Sequence, residues 1–570
     1  MKPMRCYPVV LTCLLSTLGL LAPPLGAQLR PSALDPASTG GIVRLDRALA
    51  KLSTHRRLLV VAAHPDDEDT TLLTLVSRGM GGEAAYFSLS RGEGGQNLIG
   101  PELGQGLGLI RSGELLAARD VDGARQFFSR GFDFGYTRSL DETLARWPKE
   151  ILLEDAVRVI RRFRPQVIVA VFPPNAQAGH GQHQASGVIA GEAFAVAGNP
   201  QALPQLRAEG LVPWRPQAFY RVGWFNPEGE AVQFPLGLVD PLTGKSYLQT
   251  ALASRSNHRS QDMGSVQPLG SRNNRLLPEA GVAATTGDDP FVGIDTRLAA
   301  IAALLPSEDP TRATVERALT AVEALALQAR QDLAPTRLEG AVAPLVDIVG
   351  QLRTALAAVS SMQTATDAGS VVAALLREKL TVAEEGLATA AGVAVDAAAD
   401  RTEWLPGEGG EVALTLWNSG DRSIEARGVM VETAADWAAE RRTATEDPGA
   451  GSFLLRGLEA LAAPPLPVAL AQRQRADWVF DVAVPATAPP SYPYFLEKPR
   501  NGDLYDWSAV ADTIRGEPFQ APLLTARFDL VIDGLEITLR REVVHRFADQ
   551  AVGEIRRPLR VVPRLEVALS

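Results

Sequence analysis

Apolar and polar positions fall into distinct patterns along this chain. From about residue 55 to 295, short β-branched runs alternate with stretches of helical periodicity, the signature of an α/β domain. Leu58 to Ala63 (LLVVAA) is apolar throughout, as expected of a central parallel strand covered on both faces. Ala84 to Ser90 (AAYFSLS) and Gln166 to Phe172 (QVIVAVF) supply two more strands. Ile110 to Phe128 reads as a helix. So does Ile151 to Phe163, with Leu152, Ala156, Val159, Ile160 and Phe163 on one face and Pro165 as its stop. The expected fold class here is α/β, a Rossmann-like, mostly parallel sheet.

From about 296 the chain turns Ala- and Leu-rich with helical spacing. Thr314 to Leu333, Leu338 to Ser360 and Ala373 to Ala391 are the helices this predicts, a hairpin or bundle packed between domains. After about 402 the period becomes two. Val412, Leu414 and Leu416 recur at alternate positions, and Asn418-Ser419-Gly420-Asp421 reads as a turn. Phe528 to Ile532 and Leu535 to Leu539 flank Asp533-Gly534, a type I′ hairpin signal. One or two β-sandwich modules are expected there. Within them no catalytic cluster stands out, so residues after about 400 are expected to be dispensable for chemistry.

The first residues read differently. Lys2 and Arg5 precede an apolar run from Val9 to Leu21, and Leu25-Gly26-Ala27 resembles a cleavage site. The expected division is a signal peptide over 1–27, a catalytic domain over 28–295, a helical segment over 296–398 and the sandwich region over 399–570. The product is expected to be secreted or periplasmic. No later segment is expected to approach transmembrane length. Both cysteines, Cys6 and Cys13, lie inside the signal, so the mature chain would have no disulfide, zinc–thiolate site or cysteine nucleophile.

Composition narrows the function classes. An apolar fraction of 46% and a charged fraction of 21% are those of a globular protein. The net charge of −10, with no dense Lys/Arg run, gives no electrostatic footprint for nucleic acid. Oligomeric state is left open.

Candidate chemistry concentrates directly after the first strand, at Ala63-His64-Pro65-Asp66-Asp67-Glu68. A His, two Asp and a Glu in five residues are costly to bury unless a metal or a hydrogen-bond network receives them. The carboxyl end of a parallel strand is also where open α/β sheets bind ligands. Helix capping by Asp66 and Asp67 is the plainer reading, but it gives no role to His64. The second constellation, Gly179-His180-Gly181-Gln182-His183-Gln184, follows the third strand. A His-x-x-His alone is weak evidence. Here three of only six histidines fall at the carboxyl ends of two strands expected on one sheet edge. Gly92 to Gly100 is glycine-rich but lacks both the Lys-Ser/Thr of a P-loop and dinucleotide spacing. Arg111 and Glu114 share a helical face, and a salt bridge between them or a substrate contact by Arg111 both fit. Asp133 reads as a turn residue or as part of the cleft. His258 and His545 read as structural.

On these motifs the chain resembles the LmbE-like or PIG-L deacetylases, named for the enzyme acting on N-acetylglucosaminyl-phosphatidylinositol. The resemblance covers roughly residues 55 to 265. It rests on His64-Pro65-Asp66-Asp67-Glu68, Gly92-Glu93-Gly94-Gly95, Arg111 with Glu114, His180 with His183, and Ser254 to Gln261. The resemblance implies that His64, Asp67 and His183 bind a metal, Zn2+ with Fe2+ as the other option. It makes Asp66 the general base, and gives His180 the oxyanion or the leaving amine. The implied substrate is a small molecule or glycan bearing an N-acetyl group. One departure stands out: the family often has His-Pro-Asp-His, where this chain has Gly181 and Gln182, so an orienting carboxylate for His180 is missing. Two rivals share the residues. Two His and one carboxylate also describe the facial triad of non-haem Fe(II) oxygenases. A degenerate catalytic domain carried with sugar-binding sandwiches is the other.

Overall fold

The computed structural model describes residues 34–565, apart from 227, 229, 363–365, 435 and 443–463. The segment read as a signal peptide, with Cys6 and Cys13, lies outside the described residues. The N-terminal part runs α1 (Gly41–Leu52), β1 (Arg57–Ala62), α2 (Thr70–Thr74), β2 (Glu83–Ser88), α3 (Gln105–Asp122), β3 (Arg125–Phe128), α4 (Leu140–Arg146), α5 (Lys149–Phe163), β4 (Val167–Ala170), α6 (Gly181–Val196), α7 (Pro204–Ala208), β5 (Ala218–Val222), β6 (Val232–Pro235), α8 (Tyr247–Arg255) and β7 (Asn273–Gly281). Its seven strands form one sheet in the order β3-β2-β1-β4-β5-β7-β6. The first five are parallel, and β7 and β6 close the sheet antiparallel. The fold class is therefore as expected. Every residue of β1 is buried, which is why its sequence shows no polar alternation.

One expected element differs. The helix read over Ile110 to Phe128 stops at Asp122, where Gly123 takes a left-handed cap (φ 82°), and Arg125–Phe128 becomes the edge strand β3. Helical spacing continues across the glycine in sequence, so only the cap conformation separates the two elements.

Three long helices follow: α9 (Pro310–Gln331), α10 (Val342–Ser360) and α11 (Asp367–Ala390). By length and composition Leu338–Ser360 is long and apolar enough to cross a membrane (mean hydropathy 1.4), which corrects the expectation that no later segment comes close. Its Val342, Leu345, Ile348, Val349 and Leu352 are buried in the core shared with α9, α11 and α1. The bundle is pinned to the catalytic part through Lys379, whose ammonium donates to the Lys51 and Thr54 carbonyls at 2.5 and 2.9 Å.

The remaining strands are β8 (Val393–Ala399), β9 (Glu403–Trp404), β10 (Gly409–Asn418), β11 (Ile424–Glu432), β12 (Ala438–Arg441), β13 (Val468–Leu470), β14 (Gln474–Ala483), β15 (Thr525–Ile532), β16 (Leu535–Glu542), β17 (Val544–Asp549), β18 (Gly553–Pro558) and β19 (Arg560–Val561). They make a six-stranded sheet, β12-β14-β10-β8-β17-β18, a four-stranded one, β13-β11-β15-β16, and the pair β19-β9. Val412, Leu414 and Leu416 all face the core, and Asp533 (φ 49°) with Gly534 (φ 79°) makes the β15–β16 hairpin turn. One feature has no counterpart in the expectations. Residues 491–520, between β14 and β15, lie against the catalytic sheet: Phe128 N–H donates to Gly516 O, Phe132 N–H to Asp503 O, and Tyr505 N–H to Arg130 O, at 2.8–2.9 Å. The C-terminal region is thus not independently cored, and its dispensability no longer follows.

Candidate active site

Strand order reverses between β1 and β4, so the loops leaving their carboxyl ends diverge and open a crevice. His64, Asp66 and Asp67 leave β1 there. His180 and His183 leave β4 and enter α6, with His180 at its N-cap and His183 in its first turn. The capping role that competed for Asp66 and Asp67 falls instead to Asp69, whose carboxylate accepts from Thr71 N–H and Leu72 N–H, each at 3.1 Å. Asp67 Oδ2 instead accepts Ala63 N–H at 3.2 Å and His64 N–H at 2.8 Å, which fixes the carboxylate at the end of β1.

His64 Nδ1 lies 3.2 Å from Asp67 Oδ2, and His183 Nε2 lies 3.3 Å from Asp67 Oδ1. A tetrahedron with metal–ligand bonds of about 2.0–2.1 Å has edges of about 3.3–3.4 Å. Each of the two spacings is close to one such edge, with the two histidines facing opposite oxygens of the Asp67 carboxylate. The outward nitrogens agree with that reading. His183 Nδ1 faces the Ala178 carbonyl at 3.1 Å and must donate to it, which leaves Nε2 with a free lone pair. His64 Nε2 is 2.9 Å from Gln182 Oε1, and Gln182 Nε2 donates to Asp133 Oδ1 at 2.9 Å. Asp133 is buried, which disfavours its charge, but His64, Gly135 N–H and Gln182 together hold its carboxyl below the usual range. An ionised carboxylate only accepts, so it fixes the Gln182 amide, and His64 Nε2 must carry the proton. Burial lowers His64, but the Asp67 and Asp133 carboxylates outweigh it and raise it to about 9, so Nδ1 directs a proton at Asp67 that a bound metal would displace, while His183 Nε2 faces the same carboxylate. His64, His180 and His183 also bring ring nitrogens within 4.8 Å of one another.

Asp66 sits apart from that donor set. Its backbone has φ 97°, a strained conformation for a residue with a side chain. Arg255 holds its carbonyl at 3.1 Å, Arg111 Nη2 reaches its Oδ1 at 2.9 Å, and Glu68 Oε2 accepts its N–H at 2.9 Å. Burial pushes the Asp66 carboxyl up to about 6, against the pull of Arg111. Below the loop, Glu68 is buried between His258 (2.7 Å) and Arg119 (3.1 Å), which outweigh burial and hold its carboxyl far below the usual range. His258 is structural, as expected, and His545 bonds the Ala399 carbonyl from β17.

Several sequence expectations are redrawn by these contacts. Arg111 does not pair with Glu114, whose carboxylate takes Ser260 N–H and Oγ at 2.7 Å. Its guanidinium is spent on Asp66 and on the Pro65 and Gly92 carbonyls, and it is 3% exposed. Asp133 combines the turn role, accepting Gly135 N–H at 2.9 Å, with its hold on Gln182. Gln182 faces His64, not His180, so it does not weaken His180 in the way the missing carboxylate suggested. Gly181 has a packing reason: a Cβ there would meet the Ser139 carbonyl at 2.0 Å, which shuts out the family's usual proline. His180 itself is pushed down to about 4 by burial and by the neighbouring His183 and His64, and its Nδ1 has no hydrogen-bond partner. At neutral pH it is uncharged. Phe172 was not singled out from sequence; its ring stacks on His183 at 3.7 Å and 7°. Nothing local in the sequence distinguishes it from a strand-end core residue.

The sequence around the crevice matches a known family. Residues 59–194 match the PIG-L family, described as GlcNAc-PI de-N-acetylase. The PIG-L match runs from within β1 to near the end of α6 and contains His64, Asp66, Asp67, His180 and His183, while Arg255 and His258 lie beyond it. Curated relatives include the 1D-myo-inositol 2-acetamido-2-deoxy-alpha-D-glucopyranoside deacetylases of Geodermatophilus obscurus, 32% identical over 173 residues (27% of this chain, 58% of that protein), and of Thermobifida fusca, 30% identical over 186 residues (29% and 62%). The chain thus spans about 60% of the length of these relatives. A solved structure of N,N'-diacetylchitobiose deacetylase from Pyrococcus horikoshii aligns at 17% identity and TM-score 0.30, covering 40% of this chain and 84% of that one.

Proposed function

We propose that the protein is a metal-dependent hydrolase that removes an N-acetyl group from an amino sugar or a related amide. The observation that carries this reading is the convergence of His64 Nδ1 and His183 Nε2 on the Asp67 carboxylate at 3.2 and 3.3 Å, with Asp66 adjacent to Asp67 in the chain. Zn2+ suits that N/N/O set, and Fe2+ would serve the same hydrolysis. His64, Asp67 and His183 would hold a divalent cation, which when bound would polarise an amide carbonyl and lower the pKa of water. Asp66 takes the proton from the attacking water. Its raised pKa suits a base working near neutrality, and Arg111 keeps it from rising further. His180 is neutral at rest, so its role is hydrogen bonding to the developing oxyanion. The proton for the departing amine then comes back from Asp66. Loss of the carbon–nitrogen bond leaves acetate and a free amine.

The base beside the donor set favours hydrolysis over redox chemistry with the same ligands. The acceptor is proposed as a glucosamine derivative, by likeness to the curated relatives. The test is to incubate full-length protein of defined metal content with N-acetylated amino sugars and peptidoglycan fragments and to measure acetate. Failure to release acetate from any of them would overturn the reading.

A further inference from the structure

Outside the family-matched residues, segment 491–520 of the C-terminal region packs against β3 and the loop after it. Phe132, Tyr494, Phe495, Tyr505, Trp507 and Val510 form a separate apolar cluster between the segment and the loop after β3. Arg91, fully buried, lies between Phe495 (3.5 Å) and Phe128 (4.2 Å), and its guanidinium donates to the Pro518 carbonyl and to Ser112 Oγ at 3.0 Å each. Arg91 and Glu93 flank Gly92, so the segment grips the glycine-rich loop on both sides of that residue.

The polar part of this contact leads inward. Tyr505 Oη donates to Glu93 Oε1 at 2.6 Å. Glu93 Oε2 accepts Asp133 N–H at 3.0 Å and Arg91 N–H at 3.2 Å. Asp133 Oδ1 then takes Gln182 Nε2, and Gln182 Oε1 takes His64 Nε2. Tyr505, Glu93, Asp133 and Gln182 are each at most 3% exposed, so water cannot replace a lost partner. Asp133 is held from two directions, because Phe132 just before it pairs with Asp503 O in the same segment. Tyr505 is 412 residues from Glu93 in sequence, and the hydroxyl is the segment's one side-chain donor to that carboxylate.

We propose that Tyr505 is a positioning residue for the metal centre: through Glu93, Asp133 and Gln182 it fixes the ring orientation of His64, so that the C-terminal region completes a site whose ligands all lie before residue 195. This rests on the proposed metal-dependent reading. Without the hydroxyl, Glu93 keeps only backbone donors on one oxygen, Asp133 loses a fixed anchor, and the Gln182 amide and His64 ring gain freedom.

The test uses full-length protein and metal affinity, read by chelator competition with Zn2+ and by the visible spectrum with Co2+. Direct partners of a ligating histidine are commonly worth about 10–100-fold in affinity, so a residue four contacts from His64 is expected to be worth about 3–10-fold. Tyr505→Phe and Glu93→Gln should each show that loss. Their double variant should be within about 2-fold of either single one, because both break the same path. Val510→Ala, which thins the same apolar cluster without touching the path, should lower the melting temperature and leave metal affinity unchanged. Wild-type affinity in Tyr505→Phe, or losses that multiply in the double variant, would overturn the proposal. Metal bound normally by the wild type without acetate release would instead sink the deacetylase reading and leave Tyr505 in place; a wild type that binds no metal would overturn both.

Discussion

Replacing Arg111 by methionine keeps the unbranched stem as far as about Nε and removes a cation 2.9 Å from the Asp66 carboxylate. Burial is the largest influence on Asp66 and pushes it up to about 6 even with Arg111 in place. An Asp next to an Arg is commonly lowered by about 1–3 in pKa, so removing the charge should raise Asp66 by about that much. The base form exists above the pKa and is lost as pH falls through it. The acid limb of kcat/KM, expected near pH 6 in the wild type, should therefore move up by about 1–3 pH units. At pH 6.5, where about 0.76 of the wild type is in the base form, that costs about 3–240-fold, with recovery at alkaline pH. Arg111→Lys keeps the charge and should move the limb less. The assay is kcat/KM for acetate release over pH 5–10 at saturating metal. An unmoved limb in Arg111→Met would refute the support of the base by Arg111. A rise in KM alone would return Arg111 to the substrate contact expected from sequence.

Asp66→Asn keeps shape but not basicity; it should retain metal and lose about 10²–10⁴-fold in turnover, and near-normal turnover would show that another group takes the proton. Arg119→Met strands Glu68 and Asp122 in the core and should destabilise folding by about 3–5 kcal/mol in denaturant titrations, where a change under 1 kcal/mol would contradict the network. Glu68 has a depressed folded pKa, so its contribution to stability is present above its unfolded value of about 4.3 and is lost as pH falls; acid unfolding of the wild type should reflect this, and Glu68→Gln should flatten it. If the N-terminal pattern is an export signal, protein recovered from the producing cell's exterior or periplasm should begin at Gln28, which terminal sequencing reads directly.

How much of this was legible depended on the distance over which each residue acts. β1 announced itself because both its faces are covered, and the Asp533-Gly534 turn because its conformation is set by the residues in it. The motif from His64 to Glu68 was legible as chemistry, since so many ionisable groups in five residues need a collective reason. β3 was not, because four residues at a sheet edge following a helix carry no period of their own. Gln182 read as a defect when compared with the family pattern. Its partners lie 49 and 118 residues away, so only the folded chain shows that it orients His64. Tyr505 lies further still, in a region whose sequence shows only strands and loops.

The central claim is that one bound metal, held by His64, Asp67 and His183, performs amide hydrolysis. Metal-stripped full-length protein titrated with Zn2+ against an N-acetylglucosamine derivative tests it in one measurement. The rate of acetate release should rise in proportion to added metal and break at one equivalent per chain, while the His64→Ala/His183→Ala variant should neither bind metal nor release acetate. Full activity in the metal-free protein, or stoichiometric metal in the double variant, would contradict the account.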